Sequence, residues 1–154
     1  MTPQRIASTV RREVALLRDD ARLRNAVNDI VSADVPALPV VNAAGTLLGI
    51  FGEREFIGAL FPGYLTTLGY AGFVPRSLDE ALQKRAACAD DPVSKYMNTD
   101  HIDVGEDFSD TQLAEIFLHH RVLIIPIVDA GHVTGIVTRE DFFRALAQRL
   151  FALS

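Results

Sequence analysis

The sequence predicts an α/β (α+β) fold: two β-α-β-β-α repeats, related by a pseudo-two-fold axis and packed sheet to sheet. Three observations carry this. Leu38-Pro39-Val40-Val41-Asn42 returns as Ile125-Pro126-Ile127-Val128-Asp129. Gly49-Ile50-Phe51 returns as Gly135-Ile136-Val137. Both blocks then reach an acidic residue followed by phenylalanine, Glu55-Phe56 and Asp141-Phe142. The offset is 87 before the turn and 86 after it, and one deletion, Ala43-Ala44-Gly45 against Ala130-Gly131, accounts for the change. Ordered matches at one spacing are the signature of a repeat architecture.

Each repeat opens with a short strand, Val14 to Leu17 and His101 to Val104. Arg22 to Val31 follows with Leu23, Ala26, Val27 and Ile30 at helical spacing, and Ser109 to His119 does the same with Leu113, Ile116 and Phe117. Val35 to Val41 and Val122 to Val128 are apolar runs of buried-strand length, each with one proline. Proline lacks an N–H donor, so it is expected at a strand edge or irregularity rather than mid-sheet. Turns at Gly45 and Gly131 close hairpins onto Leu47 to Phe51 and Val133 to Val137. Arg54 to Leu60 and Arg139 to Leu150 are the closing helices. The expected division is 1–60 for the first repeat with an N-terminal helix, 61–90 for a segment between repeats, and 91–154 for the second.

Neither unit is comfortable alone, because a domain of that size leaves much of its sheet face exposed. Packing the two copies together buries those faces and opens a cleft on each side. Clefts of this kind are common ligand sites.

Composition narrows the function classes. Nearly half the 154 residues are apolar, so a core can be buried. The net charge of −5 argues against non-specific nucleic-acid binding, which needs a cationic face. Arginine is locally rich at Arg5, Arg11, Arg12, Arg18, Arg22 and Arg24, which reads either as a solvated face or as a phosphate or partner contact. The single cysteine, Cys88, cannot form an internal disulfide, which fits a reducing cytoplasm. No signal-peptide h-region and no membrane-length apolar run is visible, so neither membrane nor nucleic acid is an expected partner. His119 and His120 are adjacent and point about 100° apart on a helix, unlike a chelating i, i+4 pair. No metal is expected. Neither a nucleophile elbow nor a Walker-type glycine loop is present, and no catalytic residue is assigned.

Ile125-Pro126-Ile127-Val128-Asp129, Gly131 and Gly135-Ile136-Val137-Thr138-Arg139-Glu140-Asp141 carry a family resemblance, echoed by Leu38-Pro39-Val40-Val41-Asn42, Gly45 and Gly49-Ile50-Phe51. The chain resembles the CBS domain pair over about residues 5–60 and 91–150. The resemblance implies a non-catalytic regulatory module that senses AMP, ADP, ATP or S-adenosylmethionine, often as a homodimer, with a protein partner it does not specify. It also implies a ribose site at Thr138 and Asp141. The chemistry suits them, since a carboxylate accepts charge-assisted bonds from hydroxyls and a helix N-terminus favours phosphate. Thr138 also reads as the helix N-cap, and both roles can hold together. By analogy the pocket is completed by Thr99, His101 and Ile102 of the opening strand and by Ile124, Ile125 and Pro126. The first repeat departs from the pattern, with Gly52 for the hydroxyl residue and Glu55 for the aspartate. Its equivalent pocket, at Val14, Ala37, Pro39 and Glu55, is either empty, weaker or specific for something else. One working nucleotide site per chain is expected.

The segment Phe61 to Asp91 holds Phe61, Tyr64, Leu65, Leu68, Tyr70 and Phe73, so it is not a polar linker. Ser77-Leu78-Asp79-Glu80 is a capping box that opens a helix through about Ala89. The segment reads either as an extra helix on the module's edge or as a dimer or partner surface. A ligand-independent interaction module with vestigial pockets is the alternative function.

Overall fold

A computed structural model describes residues 5–62 and 77–154. Tyr64, Leu65, Leu68, Tyr70 and Phe73 lie outside the described residues. The elements run α1 (Ile6–Val10), β1 (Leu17–Arg18), α2 (Leu23–Ala33), β2 (Ala37–Val41), β3 (Leu47–Gly52), α3 (Glu53–Leu60), α4 (Leu78–Arg85), β4 (Val104–Gly105), α5 (Asp110–His119), β5 (Ile124–Asp129), β6 (His132–Thr138) and α6 (Arg139–Leu153). The β-α-β-β-α order therefore appears twice. The strands form two mixed three-stranded sheets, β1-β2-β3 and β4-β5-β6, each with one parallel and one antiparallel pair.

The structure refines two expectations. The opening strands pair only at Leu17–Arg18 and Val104–Gly105, later and shorter than expected. The prolines sit in the central strands, β2 and β5, so of the edge or irregularity expected for them it is the irregularity that is found, one residue past each proline. One cause explains both. Ile50 exchanges both backbone bonds with Asn98, at 2.9 and 2.8 Å, so it turns its polar groups away from its partner Pro39. Pro39 therefore faces β1 with no N–H to offer, and the parallel ladder begins only at Leu17↔Val40. Pro126 opposite Ile136 repeats the arrangement, because Ile136 exchanges both its bonds with Arg12. A register shift follows each proline, at Val40/Val41 and Ile127/Val128. The hairpin turns need positive φ, which Gly45 and Gly131 supply at 85° each. Past α4 the chain tightens into 3-10 turns at Ala86–Asp90 and Val93–Lys95, so the expected helix ends at Arg85. Ser77 caps it by accepting from the Glu80 N–H at 3.1 Å.

Those bridges expose the organising feature of the fold. The opening segment of each repeat crosses to the other repeat: Arg12 pairs with Ile136 of β6, and Asn98 with Ile50 of β3. The crossings need close backbone approach. A Cβ on Gly49 would stand 2.7 Å from the Asn98 carbonyl, and one on Gly135 would stand 3.1 Å from the Arg12 carbonyl. The two cores follow the same exchange. Leu23, Leu38 and Phe51 of the first repeat pack with Cys88, with Val93 from the opening segment of the second, and with Ile124 and Ile136. Phe108, Leu113, Val137 and Phe142 pack with Ile6 and Ala7 of α1. Burying a side chain as large as Phe51 contributes about 1.5–3 kcal/mol, so detaching a crossing segment would strip part of either core.

Candidate functional site

Thr138 ends β6 and is 97 % removed from solvent, at 3 % exposure. Its Oγ1 accepts the Asp141 N–H at 3.0 Å, so it is the N-cap of α6. Asp141, in the first turn, is held by an arginine from the far end of the chain. Arg12 Nε donates to its Oδ2 at 2.8 Å and Nη2 to its Oδ1 at 3.2 Å. Arg12 Nη1 also donates to the carbonyl of Asp34 at 3.2 Å. The hydrogen bond from Arg12 holds the Asp141 carboxyl below the usual carboxylate range, against a smaller opposing effect of desolvation.

Beside this pair lies a cavity of about 630 Å³ between the repeats, lined by Asp34, Val35, Pro36, Glu53, Leu123, Arg139, Glu140 and Phe143. That volume is in the range of small-molecule sites. Thr138, Asp141 and Arg12 are not among its lining residues; their chain neighbours Arg139 and Glu140 are, as is Asp34, whose carbonyl Arg12 reaches.

The pseudo-equivalent place in the first repeat is closed. A Cβ on Gly52 would lie 2.4 Å from the Pro36 carbonyl and 2.4 Å from the Ala37 Cβ, which explains why no hydroxyl residue stands there. Glu55 Oε1 folds back to accept the Gly52 N–H at 2.9 Å, and burial pushes the Glu55 carboxyl upward. Gly52 lines a separate cavity of about 420 Å³ with Val27, Asp34, Glu53 and Phe56, while the pocket beside Glu55 measures only about 30 Å³, lined by residues that include Ala37, Arg54, Glu55, Asn98, His101 and Ile124. His101 Nδ1 is buried there with no hydrogen-bond partner among the described residues.

The structure groups the expected site residues differently from the sequence. His101 and Ile124 line the small pocket with Glu55, not the cavity beside Asp141. The exchange of opening segments is the reason, because it carries the opening segment of the second repeat onto β3 and that of the first onto β6. Thr99 is exposed and Ile102 half-buried. Ile125 is a fully buried member of the second core and Pro126 is buried in β5. Of the other set, Ala37 does share the small pocket with Glu55, while Val14 packs against the first core and Pro39 sits in β2. Arg12 is the residue that sequence reasoning missed. It stands 129 positions from Asp141, in a cluster that composition alone could not tell from a solvated face. Among the described residues no group of three or more His, Cys, Asp or Glu could hold a metal ion, and no helix is long and apolar enough to cross a membrane.

Two mixed α+β repeats with exchanged opening segments and a cleft between them define a tandem-repeat module. The CBS domain family matches residues 6–62 and 93–148, and the chain belongs to that family. It is 25% identical over 135 residues to 5'-AMP-activated protein kinase subunit gamma-3 from Bos taurus, covering 88% of this chain and 24% of that protein. It thus spans about a quarter of that relative's length. The fold is similar to a CBS-domain containing protein from Agrobacterium tumefaciens, with TM-score 0.69 and 22% identity over 92% of this chain and 90% of that one. It is also similar to CBSX2, solved in complex with AMP, with TM-score 0.67 and 20% identity over 95% and 98% of the two chains.

Proposed function

We propose that the protein is a non-catalytic regulatory module that senses an adenosine-bearing ligand, an adenine nucleotide or S-adenosylmethionine, in the cleft beside Thr138 and Asp141. The observation that carries this reading is the conjunction at that cleft. A capped strand-to-helix turn presents an ionised carboxylate beside a 630 Å³ cavity between two CBS repeats. The relative named for AMP-activated kinase and the neighbour solved with AMP support adenosine as the common chemistry. The small space beside Glu55 supports a single ribose-type site per chain, at Thr138 and Asp141.

Binding there requires Asp141 to leave Arg12 for the ligand. A partly exposed ion pair is worth only up to about 1 kcal/mol, so the exchange is affordable to a ligand of ordinary affinity. Because Arg12 belongs to the segment that crosses between repeats, its release couples the cleft to the packing of the two halves. That coupling works only if the ligand prefers one packing over the other. The exposed face of α6, with Phe143 at 67 %, Leu150 at 63 % and Phe151 at 69 % exposure, supports a homodimer or a protein partner as the listener. The same face supports the second reading, a ligand-independent interaction module. A reducing cytoplasm suits the unpaired, buried Cys88.

Melting the protein with AMP, ATP and S-adenosylmethionine tests the proposal. A ligand at a hundredfold its dissociation constant stabilises by about 2.7 kcal/mol. Asp141→Ala should abolish the shift and Glu55→Ala should not. No shift with any adenosine compound would leave the interaction module as the better account, and turnover of the ligand would contradict a non-catalytic role.

A further inference from the structure

The two clefts share a fold but carry opposite charge. Arg54 and Arg121 line the small pocket at Glu55. Their repeat equivalents, Glu140 and Asp34, line the cavity beside Asp141. Glu53 lines that cavity as well, and Arg139 is the one cation among its described lining residues. Arg12 does not offset this excess of acid, because it and Asp141, in contact at 2.8 and 3.2 Å, together carry no net charge whether or not a ligand separates them. The α6 N-terminus attracts anions, but its first turn already holds Glu140 and Asp141. Arg144 meets Glu140 at 2.7 Å but is not among the cavity's lining residues.

We propose that the Asp141 cleft selects an adenosine compound without phosphate, neutral or cationic at its 5′ end as in a sulfonium nucleoside, and discriminates against AMP and ATP. This rests on the adenosine-sensing reading and adds the charge class of its ligand. Three rim carboxylates, Asp34, Glu53 and Glu140, repel each negative charge a phosphate would bring. At separations of several ångströms near a protein surface, one net charge changes affinity on the order of tenfold.

The experiment is calorimetric titration of the full chain with adenosine, S-adenosylmethionine, AMP and ATP at low and high salt. Adenosine and S-adenosylmethionine should bind about tenfold or more tightly than AMP, with ATP weakest. Raising salt should tighten AMP at this site, because it screens a repulsion. The double variant Glu53→Gln/Glu140→Gln should close most of the gap between AMP and adenosine by strengthening AMP. Arg12→Gln should strengthen adenosine several-fold without changing the ligand order, since it removes the competitor for Asp141. AMP or ATP binding more tightly than adenosine, or Arg12→Gln selectively losing AMP, overturns the charge assignment and leaves adenosine sensing standing. Failure of every adenosine compound to bind overturns both.

Discussion

Gly52→Thr should weaken the protein rather than rebuild a second ribose-type pair. By repeat alignment this substitution installs the residue found at Thr138, so homology alone would call it restorative. The geometry forbids it. The new Cβ would sit 2.4 Å from the Pro36 carbonyl oxygen, 2.4 Å from the Ala37 Cβ and 2.8 Å from the Ala37 Cα. Two of those three atoms are backbone, and Ala37 is the register partner of Gly52 in the β2–β3 ladder. Relief therefore means moving a strand by about 1 Å, not turning a side chain. Pro36 cannot retreat cheaply either, because its carbonyl accepts the Glu53 N–H at 2.9 Å and so holds the start of α3. Overpacking of this kind costs about 1–3 kcal/mol, and backbone contact puts this site at the upper end. The threonine returns only a few tenths of a kcal/mol as a better N-cap than glycine. A net loss near 3 kcal/mol lowers the melting temperature by roughly 6–12 °C for a chain of this size. Urea unfolding and thermal melting measure it, with Gly58→Ala as control. Gly58 is exposed and helical with open space around its Cβ, so alanine there should stabilise by about 0.4–1 kcal/mol. A Gly52→Thr protein that melts within about 1 °C of the parent, or that binds a second equivalent of ligand, refutes the steric account.

Two pH predictions follow from buried and bridged carboxylates. Burial raises the Glu55 carboxyl, so the fold favours its neutral form; the stability it contributes is full below the ordinary glutamate value and lost as pH rises through the raised one. Glu55→Gln should thus be at least as stable as the parent at pH 7 in denaturant titrations, and a loss confined to neutral pH would contradict the burial argument. Glu106 behaves oppositely. Hydrogen bonds first from Arg11 and then from Thr134 hold it at about 2, so its contribution is present above the ordinary glutamate value and disappears as pH falls toward 2. Glu106→Gln should cost stability at pH 7 and nothing near pH 2; equal cost at both would show that the Arg11–Glu106 bridge at 2.8 Å is not the source.

Much of the fold was legible because it is local. The spacing of Leu23, Ala26, Val27 and Ile30 places one face of α2 in the core, where Leu23, Ala26 and Ile30 are buried and Val27 packs half-buried against them. Thr138 and Asp141 are three apart, so a strand-to-helix turn brings them together whatever else the chain does, and the cap bond at 3.0 Å shows it. The prolines were harder to place. Their missing N–H called for an edge or an irregularity, and the structure uses a central strand with a register shift just past each proline. A short neighbouring strand accommodates the missing donor too, and that depends on where β1 begins.

What the sequence by itself determined is the repeat: its element order, its hairpins and the local pair at the start of α6. Periodicity and turn chemistry act over a few residues, so their consequences can be read along the chain. What only the tertiary structure decided is which segment meets which cleft. Arg12 reaches Asp141 and His101 reaches the Glu55 pocket because the opening segments exchange sheets. Packing two half-covered sheets against each other sets that pairing, and no residue spacing encodes it. The same packing brings Asp34 and Glu140 to one cleft, and Arg54 and Arg121 to the other, giving opposite charge to two places that the repeat alone would make equivalent.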